Sequence, residues 1–208
     1  MTTIETILEQ PLLDDPRPGG ATRTFAEGAL ATGGAPIELA RRAAVGLALA
    51  SIAGLAMGLR EGPVAMAVHA AGVPIALGAV AALGGPSLYV VLALFDAPLD
   101  PRAAAAAAAR GIAAAGLVLA GLAPAIAVFV VTSATLDGAA LASGVALVAG
   151  GAIGLGHVLR VVGTALERAD SATRGMATLV LIGFAIFAIA LASRVWGSLL
   201  PVLAGGAS

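Results

Sequence analysis

The hydrophobic pattern of this chain is a series of long stretches that contain no acidic or basic residue. Five stretches lack Asp, Glu, Lys and Arg, and they cover residues 43–59, 62–95, 111–136, 138–159 and 175–193. A helix rises about 1.5 Å per residue, so roughly 20 apolar residues cross the roughly 30 Å hydrocarbon core of a bilayer. The pattern therefore predicts an all-α fold, a polytopic bundle of five transmembrane helices.

Composition agrees with a membrane environment. Only 11% of the residues are charged and the mean hydropathy is +1.03, whereas about a quarter of the residues in a soluble domain are charged. The chain has no Cys, which excludes disulfides and thiolate sites. All eleven basic residues are Arg, and Ala and Gly dominate the spans. We interpret this bias as GC-rich codon usage, and we expect a bacterial inner (cytoplasmic) membrane protein.

Three segments are predicted along the chain. Residues 1–38 form an acidic tail, residues 39–204 the five-span bundle and residues 205–208 a short external end. Arginine placement predicts the orientation. If the amino terminus is cytoplasmic, nine arginines lie on the inside and only Arg60 and Arg194 lie outside, as the positive-inside bias favours. We therefore predict a cytoplasmic amino terminus and an external carboxyl terminus.

The tail contains one short apolar helical pattern. Its apolar positions are Ile4, Ile7, Leu8 and Leu12. The pattern is consistent with a frayed helix that lies on its own protein or with a helix that docks a cytoplasmic protein partner. The tail is acidic and the chain has one Trp and one Tyr, so we expect no nucleic-acid binding.

The second apolar stretch is longer than one span requires. Residues 63–95 would form about 50 Å of helix, which exceeds the bilayer core even with tilt. Gly84-Gly85-Pro86 predicts a break, because two flexible residues and a ring without an N–H disrupt helical hydrogen bonding. Ser87–Phe95 is then either an interfacial extension or a half-helix inside the bundle. Asp100 and Pro101 suit the start of the third span, so spans two and three are predicted to form a long helical hairpin.

Arg110 is the charged residue of greatest interest, because it follows nine helical residues and no further charge occurs before Asp137. Two interpretations are open. The guanidinium either snorkels to the inner interface, or lies inside the bilayer and pairs with Asp96, Asp100 or a carbonyl of the bundle.

The remaining candidates for chemistry are few. His69 is predicted near the outer face and His157 near the inner face, so a shared metal site is not expected. Each histidine is interfacial or hydrogen-bonded, with a proton relay as the alternative. Pro124 lies near the middle of its span and either frees a carbonyl towards a cavity or marks a packed kink. The chain has no soluble-enzyme motif, and we predict no catalytic residue, metal or cofactor.

Small residues recur every four positions in three of the spans, which allows helices to approach closely. These stripes are Ala50-Gly54-Gly58, Gly116-Ala120-Pro124 and Gly150-Gly154. We interpret them as packing within the chain, with contact between protomers of a homo-oligomer as the alternative.

The overall layout has a polar tail, five closely spaced spans and a very short external end, with Pro86-Ser87-Leu88-Tyr89 after the second span and Pro124 in the third. This layout resembles the bacterial branch of the Yip-type membrane family over residues 36–204. Eukaryotic members interact with Rab GTPases, and the resemblance implies an organising or trafficking-type membrane protein without chemistry of its own. Their Gly-Tyr motif has no counterpart here, so no functional residue is transferred.

The sequence thus predicts a non-enzymatic, structural or partner-organising component of a membrane assembly. The expected partners are membrane lipids and a protein bound in the membrane or through the tail. The alternative is a small channel or carrier for an ion or small solute, built around Pro74, Pro124 and the Gly84-Gly85-Pro86 break.

Overall fold

The computed structural model describes residues 36–94, 101–166 and 171–199. Five helices account for nearly all of them: α1 (Pro36–Met57), α2 (Pro63–Leu94), α3 (Pro101–Thr132), α4 (Leu136–Leu166) and α5 (Ser171–Leu199). Each is long and apolar enough to cross a membrane. The prediction of an all-α bundle with five membrane-spanning helices is confirmed.

Proline and glycine mark the helix boundaries. Pro36, Pro63 and Pro101 are the first residues of α1, α2 and α3, where the missing N–H costs nothing because that position has no helical acceptor. Gly62 adopts a φ of 99° in the turn before α2, a conformation that disfavours residues with a side chain. At the start of α4, the Gly138 N–H donates to Thr135 Oγ1 over 3.2 Å, which caps the first turn.

Helix α3 lies at the centre of the bundle. It packs extensively on α1 and on α4, whereas α2 packs mainly on α1 and α5. Gly46 faces Gly116 near the middle of α1 and α3, and Arg60 reaches the Ser133 carbonyl just beyond their ends, so the two helices run parallel to each other. Of the most apolar 18 residues in each helix, 39% are buried in α3 and only 11% in α5. Helix α5 is therefore peripheral, and it hardly touches α4.

Glycines set the closest helix crossings. A Cβ added to Gly116 would collide with the carbonyl oxygen of Gly46, and one added to Gly54 would collide with the carbonyl oxygen of His69. A Cβ on Gly154 would lie 2.7 Å from the Gly111 carbonyl oxygen. These contacts join α1 to α3, α1 to α2 and α3 to α4. Members of all three predicted small-residue stripes thus pack within the chain.

Arg60 connects the two turns at one end of the bundle. Its Nη1 donates to the carbonyl oxygens of Ser133 (2.5 Å) and Thr135 (3.1 Å), and its Nη2 donates to that of Ala134 (3.4 Å). The α1–α2 turn is thereby held against the α3–α4 turn. In the sequence, Arg60 is only an orientation signal, and no pattern there predicts this contact.

The predicted break at Gly84-Gly85-Pro86 is wrong, because α2 continues as a single helix through these residues to Leu94. The Ser87 hydroxyl donates to the Leu83 carbonyl over 2.7 Å and adds a hydrogen bond at the turn that contains the proline. Beyond this turn, Leu88 and Leu92 are buried against Ala177 of α5 and Val162 of α4. The last two turns of α2 therefore extend the helix and do not enter the bundle as a separate half-helix.

Candidate functional site

An apolar cleft lies inside the bundle. Its volume is about 460 Å³, and four helices, α2 to α5, supply its walls. Ala, Gly, Val, Leu, Ile and Phe residues form nearly all of the lining, and Ser193 and Trp196 are the exceptions. The Ser193 hydroxyl already donates to the Ala190 carbonyl over 2.8 Å. Apart from Trp196 Nε1, which has no hydrogen-bond partner among the described residues, the lining side chains therefore present carbon and hydrogen to whatever enters the cleft.

The cleft exists because α5 stands away from α4. Between these helices, Trp196 bridges to α4, where its Cη2 would lie 3.0 Å from a Cβ placed on Gly151. On either side of this bridge, Val148 of α4 and Ile189 of α5 line the cleft and are 63% and 64% exposed. The gap between α4 and α5 thus opens sideways, towards the lipid phase that surrounds a membrane-spanning bundle.

Arg110 is buried in the structure. The residue is only 9% exposed, and its Nε atom has no hydrogen-bond partner among the residues that the structure describes. Arg42 of α1 lies near enough to interact with it electrostatically, because α1 and α3 run parallel and the two residues occupy the same level. In the snorkelling interpretation the guanidinium reaches water, whereas in the structure it is buried.

Two groups of predicted site residues lie outside the described ranges. Asp96 and Asp100, the carboxylates considered as partners for Arg110, fall in the segment 95–100. The apolar tail residues considered for partner binding fall within residues 1–35, and they are Ile4, Ile7, Leu8 and Leu12. Pairing of Arg110 with a carboxylate and docking through the tail both stay predictions.

The two histidines occupy separate environments. His69 lies on α2 and is fully buried, because Gly54 of α1 packs directly against its backbone. The Nδ1 atom of His69 lies 2.8 Å from the Ala65 carbonyl oxygen. His157 is half-buried on α4, at the level of the Gly111–Gly154 crossing. Within the described ranges, no three side chains of the His, Cys, Asp and Glu types are grouped to hold a metal ion.

The helix-interrupting residues contribute little to the interior. Pro86 and Pro124 are both exposed on the outside of the bundle, and α3 is continuous through Pro124. Gly85 is half-buried and lines the cleft, where a Cβ added to it would meet no atom within 4 Å. Of the three residues, only Gly85 faces enclosed space, and none supplies a polar group to it.

Sequence reasoning missed the cleft, although one signal was present. Gly84, Gly85, Ala104 and Ala108 line it, as do the α4 residues Ala152 and Gly156. Small residues on three helices at the same level leave space if no neighbouring side chain fills it. The same residue types also make close helix contacts, so the pattern alone could not distinguish a crossing from a cavity.

No protein-family model matches the chain, and no curated protein or solved structure is significantly similar to it.

Proposed function

We propose that this chain is a non-enzymatic, structural or partner-organising component of a bacterial inner-membrane assembly, with its amino terminus in the cytoplasm. The proposal draws on the resemblance of the layout to Yip-type membrane proteins. Its structural support comes from the interior of the bundle and from the outer face of α5.

The observation that carries the proposal is the chemistry of the enclosed space. A carrier or channel recognises its ion or polar solute through polar groups that line a hydrated path. In the described ranges the buried side chains of His69, Arg110 and Ser143 do not line the cleft, and the Trp196 Nε1–H is the single buried side-chain donor without a partner on a residue that does. The close glycine crossings fill the space between α1, α3 and α4. This interior suits a scaffold better than a transport path.

Helix α5 offers a large apolar surface. Its exposed side chains include Leu179, Ile186 and Ile189, each at least 64% exposed. Lipid tails are as apolar as these side chains, so the hydrophobic effect would not drive a second protein onto this surface. Its binding free energy would come from close van der Waals packing against α5. The partners that we propose are therefore membrane lipids and a protein contacted in the membrane or through the tail.

Removing residues 1–14 separates the two functional classes. For a partner-organising protein, the truncated chain should still insert and unfold at the same temperature, while the proteins that co-purify with the full chain in mild detergent disappear. Purified full-length protein should not move ions or small solutes across liposomes. Flux that survives the truncation and falls in Pro124→Ala would instead identify a carrier.

Cysteine labelling tests the proposed orientation, because the chain has no native Cys. A Cys at position 171 should be protected from an impermeant thiol reagent in intact cells, whereas a Cys at position 208 should react. Labelling of position 171 alone would place the amino terminus outside.

A further inference from the structure

The walls of the cleft determine the chemistry of its occupant. A buried water molecule needs two to four polar partners, and genuinely apolar cavities stay dry. The described lining offers one buried side-chain donor without a partner, the Trp196 Nε1–H, since the Ser193 hydroxyl is bonded to its own helix. One donor falls short of the two partners that a buried water molecule needs. The occupant is therefore apolar where it contacts these walls.

The size of the cleft limits which apolar molecule can occupy it. An engineered apolar cavity of about 150 Å³ takes up one benzene molecule, so the 460 Å³ present here accommodates roughly three times as many carbon atoms, about as many as a lipid acyl chain contains.

A basic residue stands at one end of the same wall. Gly156 lines the cleft, and exposed Arg160 follows it by four residues, which places both on one stripe of α4. Nine residues, about 13.5 Å of helix, separate Arg160 from Gly151, where the Trp196 ring packs. One bilayer leaflet has a hydrocarbon depth of about 15 Å. The stripe thus matches a lipid with its phosphate at Arg160 and its chain end near Trp196.

We propose that the cleft between α4 and α5 binds one acyl chain of an anionic phospholipid, and that Arg160 holds the phosphate of that lipid. The gap between α4 and α5 is open to the bilayer beside Ile189, on the Arg160 side of the Trp196 bridge, and admits the chain there. Guanidinium and phosphate form bidentate, charge-assisted hydrogen bonds, which favour an anionic headgroup at this position.

Trp196 provides a built-in reporter, because it is the single Trp of the chain and its ring lines the cleft. The full-length protein is reconstituted in phosphatidylcholine vesicles that contain a minor fraction of phosphatidylglycerol brominated near the end of its chains. Bromine quenches indole fluorescence only at short range. Quenching should saturate at a concentration about fivefold lower than that for phosphatidylcholine with the same bromination, the preference expected for one basic residue near an anionic lipid.

Two pairs of variants assign the effect to the cleft. Gly156→Leu fills the cleft and should reduce quenching to the level of non-specific lipid contact. Gly121→Leu lies on the exposed face of α3, away from the cleft, and should leave quenching unchanged. The two variants are matched because a Cβ at either glycine meets no atom within 4 Å. Arg160→Gln should abolish the preference for phosphatidylglycerol. Arg41→Gln, which changes the same charge on α1 and leaves the cleft untouched, should retain it.

Several outcomes would overturn the proposal. Equal quenching by the two lipids in the unmodified protein would show that the phosphate is not recognised. A preference for phosphatidylglycerol that persists in Arg160→Gln would show that another residue binds the phosphate. If Gly156→Leu does not fold, Arg160→Gln still decides, because its exposed side chain is outside the packed core. Weak quenching by every lipid would mean that another part of the chain, or a second copy, covers the cleft.

Discussion

The two halves of this bundle use the same small residues in opposite ways. Where α1, α3 and α4 cross, glycines face backbone atoms, as Gly116 faces Gly46 and Gly154 faces Gly111, so the helices touch. Around α5, Gly85 and Gly156 face open space and a cleft remains. In a bilayer, where hydrophobicity does not drive helices together, a small residue stabilises a contact only if its partner helix is in place.

Gly116→Leu should have the largest effect on stability. Its side chain would start at the Gly46 carbonyl, where backbone atoms on both sides resist movement, so we expect a loss of about 3 kcal/mol in the free energy of unfolding. Thermal unfolding in mild detergent, followed by circular dichroism, measures it. Gly121→Leu is the matched control, and its effect should stay within about 0.5 kcal/mol. Similar losses in both variants would show that the crossing does not determine stability.

Arg110→Leu should have the second-largest effect, and it should raise the free energy of unfolding. A buried guanidinium beside Arg42 has a high desolvation cost. Replacing it with an apolar side chain should therefore stabilise the folded protein by about 2 kcal/mol.

Paired variants check whether a carboxylate compensates that charge. If Asp96 or Asp100 pairs with Arg110, removing one member would cost about 3–5 kcal/mol, and removing both would cost less than the sum. Thermal unfolding of Arg110→Leu, Asp96→Leu and Asp100→Leu, alone and combined, distinguishes the two cases. A destabilised Arg110→Leu would refute our expectation.

Arg60→Gln should have the smallest effect. The side chain is exposed, so its hydrogen bonds to Ser133, Ala134 and Thr135 compete with water, and we expect a loss of about 1 kcal/mol. Hydrogen exchange in the two joined turns should rise as well. Arg194→Gln, an exposed arginine on α5, supplies the control for the change in charge. Unchanged exchange in both turns would contradict the proposed connection.

The helices themselves could be predicted from the sequence, because charged residues are excluded from the bilayer core. The charge-free stretch 111–136 led to the span in α3, and Pro101 was correctly placed as its first helical position. The break in α2 was wrong for a physical reason. Glycine and proline end helices in water partly because water satisfies the freed carbonyls, and lipid offers no such alternative, so the helix continues through Pro86.

The site was less accessible to prediction. Charge spacing drew attention to Arg110, but its burial depends on the level at which α1 and α3 pack, which no local pattern specifies. The cleft depends on the distance between α4 and α5, two helices that are adjacent in the chain yet scarcely touch. Hydropathy is nearly uniform around α5, so the sequence contains little signal for the side that faces the bundle.

The parallel contact between α1 and α3 has a consequence for biosynthesis. Gly46 is synthesised 70 residues before Gly116, and ribosomes add about 5–20 residues per second, so the α1 surface that receives α3 waits for roughly 4–14 s. Of the helices that the structure describes, α2 alone is available to shield α1 during that interval, through the contacts that Gly54 makes with His69. Among these helices, insertion of α3 and not of α2 therefore completes the packing around α1.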